Sequence, residues 1–206
     1  MALQERRERE KEEMKEKILS AASAIVREEG YENLSIRKIA NKIEYSPTII
    51  YHYFVDKDEI IYYLMQRGYR KIVQAITCAN STSDTPEGHL KDMTRNYIDV
   101  ALKMPDEYMS AQLSKSPKVI KHTSMLYKGA SENKPIIGAL QQCVKQINKD
   151  INVDDDKCEI IAQCIIVSTM GLVIKLIVEN GIDDEHRNRL IEHFVNETVL
   201  KIAKGE

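Results

Sequence analysis

Apolar residues recur three and four positions apart along almost the whole chain, and that period belongs to helices. No stretch alternates in a way that predicts a strand, and 8 Gly and 5 Pro in 206 residues offer little turn chemistry for a sheet protein. The pattern predicts an all-α fold. A first helix covers about residues 10–29, with Ile18, Ala22, Ile25 and Val26 inward and Gly30 as its stop. Ser35 then caps a short helix in which Ile36, Ile39, Ala40 and Ile43 form one buried stripe. Its outward face carries Arg37, Lys38, Asn41 and Lys42. Past Glu44-Tyr45-Ser46, a second short helix covers 47–54, with Ser46 at its N-cap. Pro47 suits its first position, where no amide donor is lost. Ile50, Tyr53 and Phe54 face inward there, while Thr48, Tyr51 and His52 share the opposite side. Asp56 and Glu59 have capping-box spacing and open a longer helix through Ile60, Ile61, Leu64, Tyr69, Ile72 and Ile76 to about Ala79. A polar loop at 80–84 precedes helices at about 86–103, 106–114, 117–130, 135–149, 155–180 and 184–203. Pro86, Pro105 and Pro117 mark three of their starts, and Gly181 marks the end of the long one.

Composition narrows the possibilities only a little. Hydrophobic residues at 43% and charged residues at 30% suit a globular protein. The formal net charge of -2 lacks the basic excess of many nucleic-acid binders, so a DNA reading has to rest on local geometry. Residues 1–17 are dense in Glu, Lys and Arg, unlike the apolar core of a signal segment, and a cytoplasmic location is expected. Cys78, Cys143, Cys158 and Cys164 show no zinc-knuckle spacing and are expected to act as small hydrophobes in a reducing compartment. No metal or cofactor is expected. Ile160 to Val178 has the length of a membrane span, but Gln163, Ser168, Thr169 and Lys175 are costly in hydrocarbon, so a buried helix is predicted.

Two short amphipathic helices joined by three residues, the second led by a capped Pro, form a helix-turn-helix pattern at about 35–54. A short polar-faced helix fits the major groove, where its N-terminal residues reach base edges. Hydroxyls, cations and helix N-termini then hold the phosphates. Here Gly30-Tyr31, Ser35-Ile36-Arg37, Ile39-Ala40, Ser46-Pro47-Thr48, Tyr51-His52-Tyr53-Phe54 and Lys57 stand in an order and spacing that resembles the TetR family of repressors, over about residues 18–64.

That resemblance implies an N-terminal three-helix DNA-binding domain at 1–57 and a C-terminal helical bundle at 58–206 for ligand binding and dimerisation. Carried over by position, Arg37, Pro47, Thr48 and His52 would face bases, and Tyr51, Tyr53 and Lys57 would grip phosphates. Ser35, Lys38, Ser46 and Ile49 belong to the same implied surface. Two positions depart from the family: Glu44 stands where Gly is frequent in the turn, and Ile49 replaces a phosphate-contacting Thr and could touch a thymine methyl. Plainer readings stay open. Tyr53 can be half core, Arg37 and Lys38 a solvated face, His52 a surface residue, and Arg6-Arg7-Glu8-Arg9 a solvated helix end.

In the second half, Ile161, Ile165, Leu172 and Leu176 line one side of the 155–180 helix, while Ile160, Cys164, Val167, Ile174 and Val178 line another. One side can pack on its own domain and the other calls for a partner. Candidate dimer residues are Ile160, Cys164, Val167, Leu172 and Ile174, with Leu190, Phe194 and Val195 of the last helix. By resemblance, these two helices would pair with their copies in a four-helix bundle. Tyr97, Met104, Tyr108, Met109, Gln112, His122, Met125 and Tyr127 could line an adaptable effector pocket, or form ordinary core. The implied partners are operator duplex of (pseudo)palindromic sequence, a second copy and a small, largely apolar effector. An enzyme is the rival class, but no nucleophile elbow, phosphate-cradling loop or paired metal ligands occur, and no catalytic residue is expected. A helical interaction module without DNA binding is the other alternative.

Overall fold

The computed structural model describes residues 2–77, 83–151, 153–179 and 181–205. Cys78, the predicted end of the fourth helix at Ala79 and most of the 80–84 loop lie outside the described residues. Among the described residues every regular element is helical. Two compact units form, Met1–Tyr69 with Asp106–Thr123, and Arg70–Pro105 with Ser124–Glu206. This packing division differs from the expected boundary at 57/58, because segment 106–123 belongs with the first unit.

The first unit is built on α1 (Ala2–Glu29), α2 (Ile36–Ile43), α3 (Pro47–Tyr51) and the start of α4 (Lys57–Thr77). The first helix begins eight residues earlier than its apolar pattern suggests. Its extension is rich in strong helix formers and carries an Arg6–Glu10 pair one turn apart at 2.8 Å. Gly30, at φ 82°, closes the helix with its amide on the Val26 carbonyl at 2.8 Å. Ile18, Ala22 and Val26 of α1 meet Ile39, Ala40, Ile50, Phe54 and Ile60 in one buried core, as the periodicity predicts. Tyr31 is buried in it, and that burial, with Glu107 nearby, pushes its pKa up to about 12.

Two short helices complete this unit, α6 (Pro105–Leu113) and α7 (Pro117–Thr123). They were expected in the C-terminal domain. The Glu32 carboxylate accepts from the Ser114 hydroxyl at 2.7 Å and from the Lys115 amide at 2.9 Å, so it ties their connection to the turn after α1. Those bonds, Ser114's foremost, hold the Glu32 carboxyl below its usual range. Val119 of α7 is fully buried in the same core.

The second unit holds α5 (Pro86–Leu102), α8 (Ala130–Asn133), α9 (Pro135–Ile147), α10 (Asp155–Val178), α11 (Asp184–His193) and α12 (Val199–Lys204). A wide π turn at Phe194–Thr198 joins the last two. Thr85, Asp154 and Asp183 cap their helices through side-chain oxygens. The long α10 packs on α9, α5 and α12. Its length and mean hydropathy of 2.2 would allow it to cross a membrane, yet only 33% of that window is buried within the chain, less than the buried helix that was predicted.

The predicted helix over 117–130 is broken. α7 stops at Thr123 and α8 starts after Gly129, which sits at φ 81°. Polar side chains of α10 supply the bonds that a helical ladder would have made. Glu159 accepts from the Gly129 amide at 2.8 Å and from the Ser131 amide and hydroxyl at 2.9 and 2.5 Å. Gln163 donates to the Met125 and Tyr127 carbonyls at 2.9 and 3.0 Å. The Ser131 and Gly129 bonds hold the Glu159 carboxyl below its ordinary value.

Among the described residues, Glu44 is the one non-glycine residue with positive φ, at φ 62° and ψ 41°. Its amide and that of Tyr45 close on the Asn41 and Ala40 carbonyls at 3.2 and 3.0 Å, so the left-handed turn ends α2 and aims α3. A non-glycine residue in that conformation costs about 1–2 kcal/mol. Glu44→Gly should therefore raise unfolding stability by about 0.5–1 kcal/mol, some of the gain being lost to the looser unfolded chain. Chemical denaturation of the two proteins measures it.

Candidate nucleic-acid interface

The outward surface of α2 and α3 is set by what the core takes. Ile39, Ala40, Ile43 and Ile50 are buried, so the opposite sides of these two short helices have to face solvent. Ser35 is half-buried and spends its hydroxyl on the α2 N-terminus, accepting from the Lys38 amide at 3.2 Å. Arg37 is exposed and makes no ion pair among the described residues. Lys38 pairs with Glu29, and Lys42 lies 3.5 Å from Glu28, so two of the three cations on this helix already have carboxylate partners.

Ser46 occupies the N-cap position of α3 with extended backbone, but its side chain makes no capping bond, unlike the expectation for it. The hydroxyl is exposed. Pro47, Thr48, Tyr51 and His52 are exposed beside it, Tyr51 at 58%. Ile49 is half-buried, and Tyr53 packs partly against the core. The helix is shorter than the 47–54 expected: it ends at Tyr51, and His52 and Tyr53 lie in the following turn. Asp56 then accepts from the Glu59 amide at 2.8 Å, while the Glu59 carboxylate reaches the Val55 amide at 2.6 Å. This reciprocal cap fixes the start of α4 and sets Lys57, half-buried, at its first position.

The eleven expected DNA-facing residues thus fall on α2, α3, their flanking turns and, for Lys57, the first position of α4, as exposed or half-buried positions. One contact beside them was not anticipated. Tyr45 is exposed in the turn, and the Lys17 ammonium lies 4.7 Å from its ring centre. Residues 28 positions apart, one on α1 and one in the turn after α2, give no periodic signal of such a pair.

With this geometry in place, comparison with known proteins is direct. Residues 18–64 match the family described as bacterial regulatory proteins, tetR family. Over these residues the chain resembles the N-terminal domain of tetR-family regulators. Over 51 residues it is 41% identical to the HTH-type transcriptional regulator HbdR of Aromatoleum sp. (strain CIB), an alignment that covers 25% of this chain and 22% of that protein. Solved structures share the whole fold. A TetR-like transcriptional regulator from Rhodococcus sp. RHA1 superposes with a TM-score of 0.67 at 18% identity, covering 90% of this chain and 95% of the other. The fatty acid degradation regulator FadR from Bacillus halodurans gives 0.67 at 16%, covering 93% and 98%. The MbdR regulator from Azoarcus sp. CIB gives 0.66 at 18%, covering 89% and 97%.

The residues expected to bind an effector do not form one set. Tyr108, Met109, Gln112 and His122 belong to the first unit, where the His122 ring lies tilted against Tyr62 with centres 5.4 Å apart. Tyr97, Met104, Met125 and Tyr127 belong to the second. Met125 and Tyr127 lie in the segment that Gln163 holds, and Tyr127 is exposed. Of these, Tyr97 lines a small gap with room for about one water. The rest of the wall is Met93 and Thr94 of α5, Ile136 and Leu140 of α9, and Ile165, Ile166 and Thr169 of α10. The sequence does not reveal such a gap between well-buried side chains.

On α10, Ile160, Cys164, Val167 and Val178 are exposed, Leu172 and Ile174 half-buried, and Ile165 and Leu176 buried, so the helix has the two sides that its pattern predicts. Leu190 is exposed and Phe194 half-buried. Val195, expected at the dimer interface, is instead 0% exposed: it falls four residues after buried Ile191 and four before buried Val199, on the inner side of its own unit. Cys143 and Cys158 are buried, and burial pushes both thiols up. Among the described residues no group of His, Cys, Asp and Glu could hold a metal ion.

Proposed function

We propose that the protein is a DNA-binding transcriptional regulator, a repressor that docks on operator duplex as a dimer and leaves it when a small molecule binds its second unit. The observation that carries this reading is the exposed run Ser46, Pro47, Thr48, Tyr51 and His52 at the start of a short helix, inside the stretch that matches the tetR family. Hydroxyls and an imidazole so placed suit base edges, and Tyr51, Tyr53 and Lys57 suit the flanking phosphates. Lys38 and Lys42 contribute only by exchanging Glu29 and Glu28 for phosphate. No catalytic role is proposed for any residue.

The second copy follows from α10. Ile160, Cys164, Val167, Gly171 and Val178 repeat at helical spacing on its exposed side, and Ile160 and Val167 are 59% and 44% exposed. A matching stripe from another copy, with Leu190 and Phe194 beside it, would remove this surface from water. Two recognition helices then reach successive major grooves only when they are about 34–36 Å apart. An effector that prefers another spacing by about 1–3 kcal/mol would loosen operator binding about 5–150-fold. Operator would weaken effector binding by the same factor.

Two outcomes test the reading. In a mobility-shift assay, Tyr51→Ala and Lys57→Ala should weaken binding to all duplexes, Lys57→Ala also flattening the salt dependence, whereas Arg37→Ala and His52→Ala should relax sequence preference by about 1–3 kcal/mol per lost base contact. Four variants that bind like wild type would move the DNA surface elsewhere, and a wild type that binds no duplex would leave a helical interaction module. In sedimentation, the wild type should be dimeric at micromolar concentration and Val167→Glu monomeric yet folded. Val195→Glu should unfold the chain instead, because it buries an unpaired charge.

A further inference from the structure

Lys17 stands outside the helix-turn-helix in sequence and beside it in space. It lies on α1, where its neighbours Ile18 and Leu19 are buried in the core and fix its backbone. Its side chain is exposed, and the ammonium makes no ion pair among the described residues. It stands instead 4.7 Å from the centre of the Tyr45 ring, within reach of a cation–π attraction. The ring is itself 41% exposed, so the charge is held at the surface. Tyr45 closes the turn after α2, its amide donating to the Ala40 carbonyl at 3.0 Å. The next residue, Ser46, is the N-cap of α3, and its hydroxyl makes no capping bond.

From this geometry we infer that Lys17 grips a phosphate at the rim of the DNA surface, and that the Tyr45 ring positions it there. The inference rests on the proposed DNA-binding reading and adds a residue of α1 to that surface. The major groove is about 12 Å wide, and an α-helix with its side chains is about 10–12 Å across. A helix that enters by its N-terminal end therefore fills the groove. The chain just before its N-cap then lies at the edge, where the phosphates run. Tyr45 is that part of the chain here, about 3.8 Å of backbone before Ser46. The surrounding charges favour the same use. Lys38 and Lys42 are engaged with Glu29 and Glu28, and Glu16 with Arg67. Glu13 and Glu44 are exposed carboxylates that make no ion pair among the described residues, and both would repel a phosphate. Lys17, one turn from Glu13 on α1 and over the ring next to Glu44, offsets them.

The test is fluorescence anisotropy of the full chain on two labelled duplexes, the DNA upstream of its own gene and a mixed-sequence duplex, from about 50 to about 200 mM salt. Lys17→Gln should weaken binding to both about tenfold at the lowest salt. It should also make the slope of log affinity against log salt shallower by about one. Lys17→Arg keeps the charge and should keep the wild-type slope. Tyr45→Leu should weaken both duplexes about two- to fivefold, whereas Tyr45→Phe retains the ring and should bind like wild type. Both positions are exposed, so all four variants should keep the wild-type unfolding midpoint. A Lys17→Gln slope equal to that of wild type, while Lys57→Ala flattens it, would overturn the inference and leave the DNA reading standing. Tyr45→Phe as weak as Tyr45→Leu would overturn the ring's part, the hydroxyl then being the contact. A wild type that binds neither duplex would overturn the DNA reading and the inference together.

Discussion

The geometry of the N-terminal unit hangs on the left-handed turn at Glu44. Ile39, Ala40 and Ile43 have to be buried against α1, and Ile50 and Phe54 have to reach the same core from α3. Only a tight reversal of direction between the two helices satisfies both demands. Glu44 supplies it at φ 62°, a conformation that glycine would adopt without strain. Once the turn is set, the polar sides of both helices share one surface, and Ser46 to His52 stand at its edge. The reciprocal Asp56–Glu59 cap then fixes where Lys57 emerges. The charge on this surface is modest. With Lys38 and Lys42 paired to carboxylates, Arg37 and Lys57 are left to provide most of the local positive field.

In the second unit a single helix answers two requirements. The inner side of α10 carries Glu159 and Gln163, whose side chains bond the backbone of segment 125–131. It also carries Ile165, Ile166 and Thr169 into the wall of the small gap. Its outer side is apolar and exposed at Ile160, Cys164, Val167 and Val178. Such a helix in isolation would be insoluble. The inner side is satisfied within the chain, and the outer side is the feature that calls for a second copy.

Much of this was legible in the sequence where the determinants are local. The stripe of α2, the Ser35 cap, the stop at Gly30 and the prolines at 47, 86, 105 and 117 are all signals of a few residues, and each element appears where its signal lies. The helix-turn-helix was legible for the same reason, and the family match over 18–64 covers the stretch that carried the resemblance. Signals that depend on distant partners were not legible. The break between α7 and α8 depends on Glu159 and Gln163, some 30 residues downstream. The assignment of α6 and α7 to the first unit depends on Glu32, more than 80 residues upstream. Val195 was misread because the last helix is apolar on more than one side, and Val195 falls with Ile191 and Val199 on the buried one. Tyr and Met content pointed to a pocket in eight places, but a cavity depends on how three helices meet, which composition does not encode.

Footprinting of the purified protein on the DNA upstream of its own gene tests the central claim most directly. The account predicts two protected major-groove patches on one side of the duplex, with centres one helical turn or a whole number of turns apart, over a (pseudo)palindromic sequence. A single patch, or protection spread evenly along the duplex without sequence preference, would contradict a dimer that reads an operator through two copies of α3.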